Sequence, residues 1–110
     1  MTTVELQRED VRNRLLRRAD WRFLLPDPWP ARSICFASGP LAVAVELISS
    51  QLADIHEGHD CDLAVAVDPN MDTLMSAWNA LRAGGSCYTE WYAPLAGGLR
   101  SIRRLLGAQP

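Results

Sequence analysis

Six consecutive residues, His56-Glu57-Gly58-His59-Asp60-Cys61, contain every side-chain type that commonly ligates a transition metal. Zinc sites do use such groups, but as separated pairs carried on a turn and a second element. The two histidines are three residues apart, whereas the helical metalloprotease signature needs a spacing of four to bring both rings to one face. The segment therefore reads as a polar loop between a helix and a strand, and no metal is expected. Asp68-Pro69, which ends the apolar run Cys61–Val67, is a second candidate. Open α/β sheets bind ligands beyond the C-terminal ends of their strands, so this carboxylate faces a ligand, or else it ends the strand and caps the next helix. Glu90, flanked by Tyr88 and Tyr92 on one side of a β-rich run, lines the same rim or forms the solvent face of an edge strand. No Ser/His/Asp or Cys/His spacing and no paired carboxylates point to a nucleophile or an acid–base pair.

The elements that must position these groups alternate along the chain. Residues 1–18 read as an N-terminal amphipathic helix: Thr2 and Glu5 fit a capping box, and Val4, Val11 and Leu15 share a face. Arg12, Arg14, Arg17 and Arg18 read as a solvated face, well placed near the helix C-terminus. Residues 19–31 form an extended connector, because Pro26, Pro28 and Pro30 forbid helix and interior strand. Its Trp21, Phe23, Leu24, Leu25 and Trp29 are expected to pack it across the body of the domain. Residues 32–110 then alternate strand and helix. Short strands are expected at 33–37, 62–67 and 86–91. Helices are expected from Leu41 to about Ala53, from Asn70 or Asp72 to about Arg82, and from Leu99 to Leu106. This order predicts a small three-layer α/β core with about three parallel strands and right-handed crossovers, preceded by a helix.

Composition excludes several classes. The net charge of −2 gives no global electrostatic case for nucleic acid or an anionic membrane surface. All eleven basic residues are arginine, which reads as coding bias rather than selection for anion binding. Cys35, Cys61 and Cys87 are an odd number, each in or beside an apolar run, so reduced and mostly buried thiols in a cytoplasm are expected. The N-terminus lacks a continuous apolar core of the signal-peptide type. The longest apolar stretch, Leu41 to Ile48, is far too short for a bilayer span.

Two segments carry a family resemblance. RSICFASGPLAVAVEL resembles the first strand, glycine-rich turn and first helix of class I S-adenosylmethionine-dependent methyltransferases. CDLAVAVDPNMDTLMSAWNALRAGGSCYTEW is similar to that family's fourth strand, following helix and fifth strand. ADWRFLLP resembles a leader found before the fold in some bacterial members. The resemblance implies a Rossmann-like core and S-adenosylmethionine as cofactor. It places that cofactor against Ala37, Ser38 and Gly39 at the turn and against Asp68 and Pro69 beyond the fourth strand. It leaves the methyl acceptor and any catalytic residue unassigned, since methyl transfer needs mostly proximity and alignment.

Matching the turn residue by residue shows departures. Gly39 occupies the central glycine position, Ala37 stands in place of a first glycine, and Leu41 stands in place of a third, where its bulk is expected to crowd the ligand. Cys35 replaces a usual acidic residue. A strand, helix and strand needing on the order of 35 residues are reduced to Asp54–Asp60. A carboxylate for the ribose would have to come from Asp54, which the pattern places at a helix end. The antiparallel strands expected after the last helix are also missing. Three central strands alone would leave both sheet edges open and apolar, which predicts a homo-oligomer or a partner protein that completes the sheet. Three readings follow: an S-adenosylmethionine-dependent methyltransferase, a non-catalytic accessory protein that self-associates or completes a partner's sheet, or a fragment of a larger enzyme.

Overall fold

The computed structural model describes residues 3–95 and 98–106. The elements in chain order are α1 (Thr3–Arg17), a 3-10 helix (Asp20–Leu24), β1 (Arg32–Phe36), α2 (Gly39–Ile48) and β2 (Gln51–Leu52). They continue with β3 (Cys61–Val67), α3 (Met71–Ala80), β4 (Leu81–Leu95) and β5 (Gly98–Leu106). One sheet runs in the order β2-β1-β3-β4-β5, parallel except for β5, which pairs antiparallel with β4. The expected three-layer Rossmann-like arrangement is present, with helices on both faces of a mostly parallel sheet. Thr2 of the capping box and the side chains of Val4, Glu5, Leu99, Ile102 and Leu106 lie outside the described residues.

The continuous apolar run CDLAVAV becomes β3 because a central parallel strand is covered on both faces. Leu63 and Val65 pack towards α1 and α2 with Trp21, Leu25, Leu41, Val45, Ile48 and Tyr88. Ala64 packs towards α3 with Ile34, Cys61, Ala77, Ala80, Leu81 and Cys87. The small alanines on that side let α3 sit close to the sheet. Fully burying each Leu or Val contributes roughly 1.5–3 kcal/mol, so β3 carries much of the core.

Two expectations about the sheet are corrected. Residues 99–106 are not a helix: they belong to β5 and pair with β4 from Cys87↔Leu106 to Leu95↔Gly98. Helix α2 stops at Ile48 instead of Ala53, and Gln51–Leu52 pairs with the start of β1. The Ser49 hydroxyl donates to the Val45 carbonyl at 2.6 Å and lies 2.7 Å from Ser33 Oγ, while Gln51 N–H donates to Ala31 O. These bonds turn the chain from helix to sheet edge. The sheet therefore has five strands, not three, and the edge of β4 is covered by β5. On the other side β2 covers only Arg32 and Ser33 of β1.

The interval Ala53–Asp60 is a loop laid against β1. A Cβ on Gly58 would overlap Ile34 Cδ1 and come within 2.9 Å of the Asp54 carbonyl oxygen. This close approach lets so few residues lead from β2 to the start of β3. At the same end, the Asp62 carboxylate accepts the N–H groups of Ala31 and Arg32, each at 3.1 Å, and pairs with Arg82.

The connector packs only in part as expected. Trp21 and Leu25 are buried, whereas Phe23, Leu24 and Trp29 remain exposed. The buried Arg22 guanidinium donates to the carbonyls of Leu16 and Ala19, closing the C-terminal end of α1, and lies over the rings of Phe23 and Trp29. The three thiols are free; Cys61 and Cys87 are buried, and burial pushes Cys87 up to about 11. Among the described residues, no helix is long and apolar enough to cross a membrane.

Candidate functional site

A cleft of about 630 Å³ opens beyond the C-terminal ends of β1 and β3. β1 ends at Phe36 and runs on into Ala37 and Ser38 along one wall; β3 ends at Val67 and runs on into Asp68 and Pro69 along the other. Ile55, from the loop over β1, and Asn70 and Thr73, from the start of α3, complete it. The sheet order explains the opening. The chain leaves β1 towards β2 on one side, then returns to β3 on the other, so the two following segments diverge at this switch point.

Four of the five residues singled out in the sequence, Ala37, Ser38, Asp68 and Pro69, meet around this cleft. Gly39 does not line it. Its φ of +72° and the open space around its Cα place it in a left-handed turn that a side chain would strain. That turn aims α2 back over the sheet and carries Leu41 into the core, where it is 3% exposed. The expected crowding of a ligand by Leu41 is not seen: its side chain packs in the core with Trp21 and Val45 and does not line the cleft.

Asn70 fixes the other wall. Its Oδ1 accepts the Thr73 N–H at 2.8 Å and the Thr73 hydroxyl at 3.0 Å, capping α3. Asn70→Ala is expected to cost about 1 kcal/mol, read as a lowered urea midpoint with an unchanged slope. Asp68 adopts φ +43°, a left-handed conformation that Asp tolerates better than most residues. Its N–H donates to Glu90 O at 2.8 Å, and its Oδ1 accepts the Tyr92 N–H at 2.8 Å.

Neither alternative for Glu90 describes its position. It is completely buried and away from the cleft lining, rather than on a rim or a solvent face. Arg18, expected on the solvated face, donates both ends of its guanidinium fork to Glu90, at 2.5 and 2.6 Å. Tyr88 and Tyr92 donate their hydroxyls to the same carboxylate at 2.5 and 2.7 Å. Trp21 stacks on Tyr88 with ring centroids 3.8 Å apart. Burial alone would raise the Glu90 carboxyl, but the hydrogen bonds from Arg18 and the two tyrosines outweigh it and hold it at about 2. Glu90 is thus a permanently ionised anchor at neutral pH, and Arg18 is held still more firmly charged. Period-two alternation could show that Tyr88, Glu90 and Tyr92 share a face; nothing local could pair Glu90 with a residue 72 positions away.

Asp54 also moves. It follows β2 instead of ending a helix, is exposed, and accepts the His56 N–H at 2.8 Å. His56, Glu57, His59 and Asp60 are exposed on the loop, while Cys61 turns into the core. Among the described residues, no group of three metal-ligating side chains gathers.

Fold and cleft together define a small Rossmann-like α/β domain with a ligand-sized opening at its switch point. No family model, curated protein or solved structure matches the chain.

Proposed function

We propose that the cleft binds S-adenosylmethionine and that the chain is methyltransferase-like. The observation that carries this reading is the convergence of Ala37, Ser38, Asp68 and Pro69, the positions implied by the resemblance, on one cleft at the switch point. Its volume of about 630 Å³ falls within the roughly 300–1,000 Å³ of small-molecule sites. The residues present fit such a ligand. Phe36, Ile55 and Val67 offer apolar surface for a base and a thioether, and Ser38, Asp68 and Asn70 offer polar groups to orient it. A carboxylate for the ribose hydroxyls would have to come from Asp54, which is exposed two residues beyond β2 and next to the cleft-lining Ile55 without lining the cleft itself. The N-terminal turn of α2, whose Ser38 cap makes no side-chain bond to it, favours an anionic group such as the ligand's carboxylate.

When bound, the sulfonium would supply an electrophilic methyl group: the acceptor's bond to the methyl carbon would form as the methyl–sulfur bond breaks, with the neutral thioether as leaving group. The chain's own contribution is to align the two partners and exclude water. Glu90 takes no proton in this scheme, because Arg18 and two tyrosines hold it ionised.

Titration calorimetry with S-adenosylmethionine and S-adenosylhomocysteine tests the reading. Saturable micromolar binding is expected. Ser38→Trp, an exposed substitution in the cleft wall, should weaken it about tenfold or more with little change in urea midpoint. No saturable heat from the wild-type protein at millimolar ligand would overturn the proposal.

A further inference from the structure

An unbroken chain of hydrogen bonds runs from the end of the first helix to the wall of the cleft. Arg18, the residue after α1, grips the Glu90 carboxylate with both ends of its fork and also donates to the Tyr92 hydroxyl at 3.0 Å. The Tyr92 hydroxyl in turn donates to Glu90 Oε1. The main chains of these same two residues hold Asp68. Glu90 O accepts the Asp68 N–H, and Tyr92 N–H donates to the Asp68 carboxylate, each at 2.8 Å. Asp68 sits at φ +43°, a sparsely populated conformation that persists where the surroundings over-determine it.

We infer that Arg18 is a positioning residue for the Asp68 wall of the cleft, acting through Glu90 and Tyr92; the inference rests on the reading of that cleft as a ligand site. Among the described residues, the side-chain hydrogen bonds of Arg18 go to Glu90 and Tyr92 and not to a residue lining the cleft. Through the side chains of Glu90 and Tyr92 it steadies the stretch of β4 that presents a main-chain acceptor and a main-chain donor to Asp68 together. The β5 ladder fixes the register of this stretch, so losing the fork loosens the corner where it meets Asp68, lengthening the Tyr92 N–H bond to the carboxylate and easing Asp68 out of the left-handed region. Ligand affinity is therefore coupled to the docking of the N-terminal helix, and by linkage a bound ligand tightens that docking.

A double-mutant cycle separates positioning from general stability. Tyr92→Phe removes one exposed hydroxyl and keeps the backbone donor, so the fold survives even if Arg18→Lys proves unstable. Tyr92→Phe is expected to weaken S-adenosylhomocysteine binding about fivefold in the wild-type background and less than about twofold when Asp68 is already alanine. Equal effects in both backgrounds would overturn the inference. Arg14→Lys, on the exposed side of α1, should change nothing. A second arm needs no ligand: amide exchange at Tyr92 should accelerate about tenfold in Arg18→Lys or Tyr92→Phe, while Val65 stays protected. If the wild-type protein binds no ligand, the proposed function fails, and unchanged Tyr92 exchange would separately overturn the positioning role.

Discussion

Arg18→Met is expected to destabilise the fold by about 3–5 kcal/mol. Glu90 is completely buried, so removing its partner leaves a carboxylate without counter-charge in a low-dielectric site. Glu90→Gln should cost less, about 1–2 kcal/mol, because the amide keeps bonds to Tyr88 and Tyr92 and Arg18 can reach water. The effect has a pH signature with a definite sign. The Glu90 carboxyl is held at about 2, below its ordinary 4.5, so its folded form is favoured when ionised. Its stabilising contribution is complete above pH 4.5 and is lost as pH falls towards 2. The shift is worth about 3 kcal/mol. Arg18→Met turns the balance over, since burial then raises the carboxyl and penalises its ionised form. Urea midpoints of wild type and variant should converge near pH 2 and separate as pH rises to 6. Curves that stay parallel over that range would show that Arg18 and Glu90 do not interact in the folded protein.

Leu41→Gly is expected to cost about 4 kcal/mol and to improve no ligand affinity. The residue-by-residue match to a glycine-rich turn suggests the opposite, that trimming Leu41 would open a ligand site. Its position decides otherwise: at 3% exposure it packs with Trp21, Val45 and Leu63 between α2 and the sheet. Truncating a buried leucine costs 2–5 kcal/mol through lost contacts and the cavity left behind, and glycine adds backbone freedom to the unfolded chain. Chemical denaturation gives the stability term, and calorimetry on the same sample gives the ligand term. A variant that binds S-adenosylhomocysteine more tightly than wild type would reverse this assignment.

Both substitutions mark the limit of local pattern. The core of the fold was legible because CDLAVAV is apolar at every position but one, as a strand covered on both faces must be. The helix after it was legible from Leu74, Ala77, Trp78 and Leu81, although it ends at Ala80 because Leu81 pairs with Cys61. Leu99, Ile102 and Leu106 fall at helical spacing, yet their backbones join the sheet along the full length of a long neighbouring strand. Propensity over so few residues is a weak preference, and an available row of donors and acceptors on β4 outweighs it. The stripe Leu41, Val45, Ile48, Leu52 likewise runs on past the true end of α2 at Ile48, because Ser49 and Gln51 find partners near β1 that periodicity cannot register.

For the cleft, Asp68 and Pro69 could be named because strand ends in an alternating α/β chain are where ligands meet the sheet, and Ala37 and Ser38 only through the resemblance of their turn to a glycine-rich one. The sequence by itself determined the alternation, the twice-covered central strand and the turn residues that stop each strand, all of which depend on neighbours within a few positions. Only the tertiary structure decided that Leu41 packs in the core and not against the cleft, that β5 closes an edge, and that Arg18 secures Glu90 from 72 residues away. Those outcomes rest on buried charge and cross-strand hydrogen bonding, whose partners are set by where the whole chain brings them and not by their spacing along it.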